Sequence, residues 1–542
     1  MTIWPKSINK FTFLLALYFV GIFNIPFFDI VAKGLAEQDQ ISWGFVISIP
    51  IFLLCALSIL FSFFSIKYLL KPFFIVLTLL SSSVFWAQWQ YGVVFDVNMM
   101  QNIFQTNQAE ASTYLNLASA INMLITGILP AYWIYKAPIE YPGIKQLLKS
   151  KAIFILANAI IVVIIGALYF QNFVAFGRNH DEIKRAIVPT YFIGSLAKYI
   201  NNQYFVKPLP YEQLGTDARV RAQADKPRLL VLMVGETARA QNFSYYGYNK
   251  PTNQFTEKDD LLVFEDVTSC GTATAVSLPC MFSRMNREDY NARRAKAQDS
   301  LIDVLAHAGI ELDWIDNDSG CKGVCDRVPN KLISLTADPK LCDGESCFDQ
   351  ILVDELRQTV TAMDTDPKDT VIVLHMMGSH GPTYYKRYPD DKRLFTPDCQ
   401  RSDIQNCSHE ELINTYDNTI AYSDYILSQV IDVLKTQEAT FDTSMLYLSD
   451  HGESLGENGL YLHGAPYALA PKEQIHVPML AWFSPGFIKG DELAMSCIKQ
   501  KAAQGGWSHD NLFDTVLGLM DVSTSVYRPE QDILAGCYKS RH

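Results

Sequence analysis

The chain has 542 residues, of which 49% are hydrophobic and 12% aromatic, more apolar material than one average globular domain needs. Its formal net charge of −12 excludes nucleic acid as a partner, because phosphate backbones are bound by clustered Lys and Arg that this chain does not show. Two unlike halves are therefore expected.

In the first third, apolar stretches of bilayer-crossing length, about 20 residues each, recur at 11–28, 43–64, 72–94, 118–135 and 152–170. Buried helices of a soluble protein rarely run so far without a charge, so five membrane spans are expected. Lys6 and Lys10 precede the first span, Lys67 and Lys71 separate the second from the third, and Lys136, Lys145, Lys149 and Lys151 separate the fourth from the fifth. The positive-inside rule makes these three regions cytoplasmic. The stretch 95–117 carries Asp96 and Glu110 but no Lys or Arg and belongs on the translocated side, as does everything after the fifth span. The first run leads into further spans rather than to a small-residue cleavage site, so a cleaved signal peptide is not expected.

Residues 173–215 mix aromatics with Arg178, Lys184, Arg185, Lys198 and Lys207, as a segment lying on a lipid surface does. Pro208, Pro210, Gly215 and Pro227 mark its end. The expected organisation is a five-helix transmembrane domain over 1–172, a membrane-surface linker over 173–215 and a soluble domain over 216–542. Of 11 Cys, only Cys55 lies in a predicted span. The other ten follow Lys226 as close neighbours, Cys270 with Cys280, Cys321 with Cys325, Cys342 with Cys347 and Cys399 with Cys407, leaving Cys497 and Cys537 for each other. Five disulfides of this kind persist in an oxidising compartment, which agrees with the topology in pointing to the periplasm.

The soluble half alternates short β-rich runs with helical patterns, the signature of an α/β fold with a largely parallel sheet. Runs at 228–234, 370–377 and 444–449 are followed by Gly235-Glu236, by Gly378-Ser379-His380-Gly381-Pro382 and by Asp450-His451-Gly452-Glu453. Each sets polar side chains just past the C-terminal end of a buried strand, where open α/β sheets collect their sites. Glu236, Asp450 and His451 are residue types that bind Zn²⁺, and a metal would relieve the cost of burying their charge. In 270–280, CGTATAVSLPC, hydroxyls lie at a loop-to-helix junction, and a helix N-terminus suits a phosphoryl group. Thr272, Thr274 and Ser277 compete for the nucleophile's role, and each also reads as a helix cap. The run 410–435, apolar at helical spacing, is expected to pack against the sheet.

Five motifs together resemble the lipid A phosphoethanolamine transferases, which include the mobile colistin-resistance enzymes: MVGE (233–236), CGTATAVSLPCMFS (270–283), MGSHGP (377–382), SDHGESLGENGLYLHGAP (449–466) and YGVVFDVNMMQNIFQTN (91–107). The resemblance covers essentially the whole chain. It implies an α-helical transmembrane domain of five helices followed by an α/β periplasmic domain of the alkaline phosphatase/sulfatase type. It also implies that Thr274, the second Thr of the GTxT element, is the nucleophile. Zinc ligands would be Glu236, Thr274, Asp450 and His451, while His380 and His463 would bind substrate or a second zinc, and Lys322 in SGCKGVCDR would contact substrate. The implied donor is phosphatidylethanolamine and the acceptor a phosphate of lipid A, handled in ping-pong order through phospho-Thr274 by a monomer seated among inner-membrane lipids. Lower outer-membrane charge and polymyxin resistance would follow, and 95–117 would help shape the donor pocket.

His375, His409 and His476 are expected to be structural. The competing readings are transfer of phosphoethanolamine or phosphoglycerol to a core-oligosaccharide or other envelope glycan, and a membrane-anchored phosphohydrolase. Ser277-Leu278-Pro279 begins the C/S-x-P-x-R pattern of sulfatases, but Met281 stands where the Arg belongs.

Overall fold

A computed structural model describes residues 6–36, 42–105, 117–205, 207, 209–221, 225–363, 366–401, 404, 407–457, 460–465, 467–490 and 493–538. The chain forms two compact units, Met1–Pro208 and Leu209–His542.

In the first unit, four helices are long and apolar enough to cross a membrane: Trp43–Phe64, Leu70–Gln90, Leu117–Lys136 and Ile144–Arg178. A fifth span is obtained when the pair Ile8–Phe23 and Ile25–Ala36, bent by 59°, is counted as one. The bend sits at Asn24. This residue is fully buried, and its amide donates to Phe19 O and Val188 O while its Oδ1 accepts the Val188 N–H. A side chain thus satisfies backbone groups that a break in a span would otherwise leave unpaired. The three basic regions meet at one end of the bundle, where Lys6 pairs with Glu140 at 2.8 Å, Lys71 donates to Tyr135 O at 2.8 Å and Lys151 donates to Ser62 O at 2.5 Å. Residues expected to form the start of a surface linker are helical, with helices Asp181–Arg185 and Thr190–Ile200. Phe176, Ile183, Val188 and Phe192 share the core of this unit. Of the stretch 95–117, residues Val97–Gln105 form a helix and 106–116 lie outside the described residues.

The second unit is built on an eight-stranded sheet. In chain order its strands are β1 (Arg228–Gly235), β2 (Leu262–Thr268), β3 (Glu311–Asp316), β4 (Asn330–Leu332), β5 (Thr370–His375), β6 (Asp442–Ser449), β7 (His476–Phe483) and β8 (Trp507–Ser508). They are arranged β8-β2-β7-β6-β1-β5-β3-β4, and only β7 runs antiparallel to its neighbours. β1 is buried along its length because both faces are covered: Leu230, Leu232 and Val234 enter one core, Leu229, Val231 and Met233 the other. This is why a parallel strand reads as a continuous apolar run rather than an alternation. Helices Thr274–Met281, Leu301–His307 and Leu512–Leu519 cover the first face, and Gln350–Met363 and His409–Thr436 the second. All five expected disulfides are formed, and Cys55 is the one free cysteine among the described residues.

Candidate active site

The register of β1 against β6 builds the centre of the site. Gly235 pairs with Ser449 in parallel, so the next residues, Glu236 and Asp450, leave the sheet side by side. Asp450 N–H donates to Gly235 O at 2.9 Å, and Asp450 Oδ1 accepts the N–H groups of Thr237 at 3.1 Å and His451 at 2.7 Å. Thr237 takes a left-handed φ of 59° to make that turn, an uncommon conformation for a β-branched residue. Gly378, at φ 51°, packs over the Glu236 backbone, where a Cβ would come within 2.7 Å of Glu236 O. Glu236, Asp450 and His451 are all fully buried and offer ligand atoms within 4.8 Å of one another.

Thr274 opens its helix and donates from Oγ1 to Glu236 Oε2 at 3.0 Å, with His451 Nε2 at 3.4 Å. The two other hydroxyls are engaged elsewhere: Thr272 donates to Ala465 O at 2.7 Å and Ser277 to Asp450 O at 2.5 Å. The Cys270–Cys280 bridge straddles this loop and helix. His380 Nδ1 lies 3.2 Å from Glu236 Oε1 and 3.6 Å from Asp318 Oδ1. The His463 ring centroid is 4.4 Å from that of His451 and 6.2 Å from that of His380.

The electrostatics describe a site short of positive charge. Burial alone would raise the Glu236 carboxyl, but His380, His451 and His463 outweigh it and hold Glu236 well below the ordinary carboxylate range. Burial and the neighbouring Glu236 charge push Asp450 well above that range. Two buried carboxylates this close cannot both ionise without a cation between them. Asp450 Oδ2 has no hydrogen-bond partner. Oxygen and imidazole donors around an unsatisfied buried carboxylate fit Zn²⁺.

Comparison with known proteins agrees with this geometry. A family described as "Sulfatase" matches residues 228–522, and one described as "Phosphoethanolamine transferase EptA/EptB" matches 53–204. Phosphoethanolamine transferase EptA of Escherichia coli (strain K12) is 38% identical, with 97% of this chain and 96% of the relative covered. The chain belongs to the phosphoethanolamine transferases. Phosphatidylethanolamine transferase Mcr-1 of Escherichia coli is 34% identical over 96% of this chain and 97% of its own length. Among solved structures, the integral membrane protein lipooligosaccharide phosphoethanolamine transferase A (EptA) from Neisseria meningitidis aligns with a TM-score of 0.66 at 36% identity, covering 98% of this chain and 100% of that one. The enzyme is thus an inner-membrane phosphoethanolamine transferase with a C-terminal soluble domain of the sulfatase type.

In this transferase, Lys322, at φ 53°, donates to Ser319 O and Ser319 Oγ, at 2.7 and 2.5 Å, and Ser319 Oγ in turn donates to Asp318 Oδ2 at 2.6 Å. Four further groups lie at the site, and the sequence reading gave them no part in it. Asp318, two residues past the end of β3, forms a second possible ligand group with Glu236 and His375. His375 is not an isolated core residue: burial disfavours its cation, yet Asp316, bonded at 2.8 Å, outweighs this and pushes it up to about 9. Glu453, fully buried, accepts from Tyr384 OH at 2.8 Å and faces His463 Nδ1 at 3.4 Å.

His509 clamps the loop that leads into the Thr274 helix to the end of β6, accepting Cys270 N–H at Nδ1 (3.1 Å) and donating from Nε2 to Ser449 O (2.9 Å). Burial pushes it down to about 3, so it holds these two bonds as a neutral ring. Glu453 had a signal, since it completes the Asp-His-Gly-Glu run; His509, 239 residues from Cys270, had none.

Proposed function

We propose that this enzyme moves phosphoethanolamine from phosphatidylethanolamine to a phosphate of lipid A on the periplasmic side of the inner membrane, through a covalent phospho-Thr274 intermediate. The observation that carries the reading is the Thr274 hydroxyl, first in its helix, 3.0 Å from Glu236 Oε2 and 3.4 Å from His451 Nε2. The helix N-terminus directs free backbone N–H groups and its positive dipole end at a phosphoryl group approaching Thr274. Thr274 Oγ1 gives up its proton to water and attacks phosphorus, the bond to the diacylglycerol oxygen breaks, and the departing oxygen takes a proton from the His380 and His463 side. A phosphate oxygen of the acceptor then attacks phospho-Thr274 in line and returns Oγ1 to the enzyme.

Glu236, Thr274, Asp450 and His451 would hold a zinc ion, which would supply a Lewis acid to lower the pKa of the threonine hydroxyl and withdraw charge from the phosphoryl oxygens. Burial opposes the His380 cation, but its Glu236 neighbour outweighs this and raises His380, which with His463 would offer N–H donors to the same oxygens. The bilayer anchor keeps the site near donor and acceptor, both of which are lipids. Monomeric action, reduced negative charge at the cell surface and polymyxin resistance complete the proposal.

The test is mass spectrometry of lipid A, and of the enzyme, from a Gram-negative host expressing the chain. Lipid A is expected to gain a phosphoethanolamine group and Thr274 to carry the same mass; both disappear in Thr274→Ala. A Thr274→Ala enzyme that still modified lipid A would remove Thr274 from the chemistry.

A further inference from the structure

The sheet carries a second group of metal-type donors beside the first. Val234 pairs with His375 and His375 with Asp316 in parallel register, so the ends of β1, β5 and β3 lie side by side. Strand β5 ends on His375, while Glu236 and Asp318 follow the ends of β1 and β3 by one and two residues. One ligand atom from each of Glu236, Asp318 and His375 lies within 4.8 Å of the other two. Glu236 belongs to both groups because β1 has β6 on one side and β5 on the other.

His375 makes this more than a meeting of carboxylates. Its ring is fully buried, Nδ1 is bonded to Asp316 Oδ2 at 2.8 Å, and Nε2 has no hydrogen-bond partner among the described residues. Leaving a buried ring nitrogen unmet costs about 1–3 kcal/mol, and with Nδ1 committed to Asp316, Nε2 is the nitrogen available to an ion. A carboxylate on the far nitrogen of a ligating imidazole fixes its tautomer and aim. The same carboxylate steadies the second ligand, since Asp316 Oδ1 accepts the N–H groups of Asp318 and Gly320, each at 3.0 Å, and Oδ2 also accepts Trp314 Nε1–H at 3.0 Å. Asp318, with its side chain 2% exposed, accepts Ser319 Oγ–H at Oδ2 and keeps Oδ1 on the side of His380, 3.6 Å from Nδ1.

Bonds of about 2.0–2.2 Å let one Zn²⁺ draw such atoms together by small side-chain movements. Imidazole among the donors selects zinc over Mg²⁺ or Ca²⁺, which take oxygen. We propose that Glu236, Asp318 and His375 bind a second zinc ion, with Glu236 as the carboxylate it shares with the ion at Asp450 and His451. The sharing rests on the zinc reading of the first group; the ligand set of the second does not. A proton and a metal ion compete for Nε2, and the carboxylates that favour the proton favour the ion as well. His463 takes no part, since its Nδ1 faces Glu453 at 3.4 Å and its ring lies against His451. Two ions sharing a carboxylate are the arrangement that clamps attacking and leaving oxygens in phosphoryl displacement.

The test uses the full-length protein in detergent micelles, stripped with chelator and titrated with Zn²⁺ by calorimetry, with metal content per chain measured after dialysis. The wild type is expected to retain a pair of ions. Asp318→Asn and His375→Gln should each retain a single ion, and Asp450→Ala should lose the first ion and keep the second. Asp316→Asn leaves every ligand in place and should weaken the second ion about 10–100-fold without touching the first. Loading with Mn²⁺, which takes the same donors more weakly, gives a readout independent of any variant: ions roughly 3.5–4 Å apart produce an exchange-coupled electron paramagnetic resonance spectrum, whereas ions bound adventitiously at the surface do not. Melting temperatures serve as folding controls.

The proposal is overturned if the wild type retains a single ion that Asp450→Ala abolishes, if Asp318→Asn and His375→Gln both retain the pair, or if the Mn²⁺-loaded wild type gives only the spectrum of isolated ions. A single wild-type ion that survives Asp450→Ala and disappears in His375→Gln would instead support this site and remove the zinc reading of the first group.

Discussion

The groups around Thr274 come from two kinds of backbone. Glu236, Asp450 and His451 follow directly from adjacent parallel strands, and the pairing of Gly235 with Ser449 leaves them little freedom. His380 and His463 sit on loops, the second after a two-stranded hairpin formed by Ser454–Leu455 and Tyr461–Leu462. The first group is fully buried; His380 and His463 have side chains 34% and 23% exposed. The contrast suits a division of labour. A metal site needs ligands placed to a few tenths of an ångström, which strand ends provide, whereas on the proposed mechanism His380 and His463 would meet two different lipids in turn and need room to admit them.

The sharpest way to break this comparison is to remove a strand-borne ligand. Asp450→Ala and Glu236→Ala should each lose bound zinc and lower transfer on the order of 10³-fold or more, measured by metal analysis and lipid A mass spectrometry. Full zinc occupancy in both variants would take them out of the metal site. His380→Ala and His463→Ala should behave differently, keeping zinc while transfer falls about 10–100-fold. If either lost as much zinc as Asp450→Ala, the division between the two groups would fail.

A smaller effect is expected at Glu453, which supports His463 rather than meeting the substrate. Glu453→Gln keeps an acceptor for Tyr384 OH and should cost within about tenfold in activity, while Glu453→Ala strands that hydroxyl and should cost more. Equal losses in the two variants would argue against a positioning role.

The smallest effect lies outside both groups. Burial pushes the Asp514 carboxyl from 3.8 up to about 6, against the opposing Arg528 N–H and the Arg284 and Arg528 charges. Because the folded pKa lies above the unfolded one, the folded state holds this proton more tightly. The stabilisation is full below about pH 4 and lost as pH rises through about 6. Asp514→Asn should therefore flatten the decline in melting temperature across that window, and an unchanged slope would show that Asp514 does not titrate there.

The membrane half was legible because a bilayer imposes a length and a composition on each span, and the basic residues between spans carry the orientation. Its first span was read as one apolar run over 11–28, and the structure adds a 59° bend at Asn24, whose bonds reach Val188, 164 residues away. In the soluble half, β1, β5 and β6 could be read from their apolar runs, and with them the polar residues just past each strand, because a strand buried on both faces leaves a continuous signal.

Spacing also suggested how the ten cysteines pair without proving it, and the structure forms those pairs, four of the five joining cysteines only 4 to 10 positions apart. What it left open was which of Thr272, Thr274 and Ser277 meets Glu236. That depends on where the competing hydroxyls find acceptors, and those acceptors, Ala465 O and Asp450 O, lie 193 and 173 residues further along the chain. The His509 clamp was hidden for the same reason. A local pattern records the period of a helix or strand, while side chains that meet across a sheet are joined only by its register and crossovers.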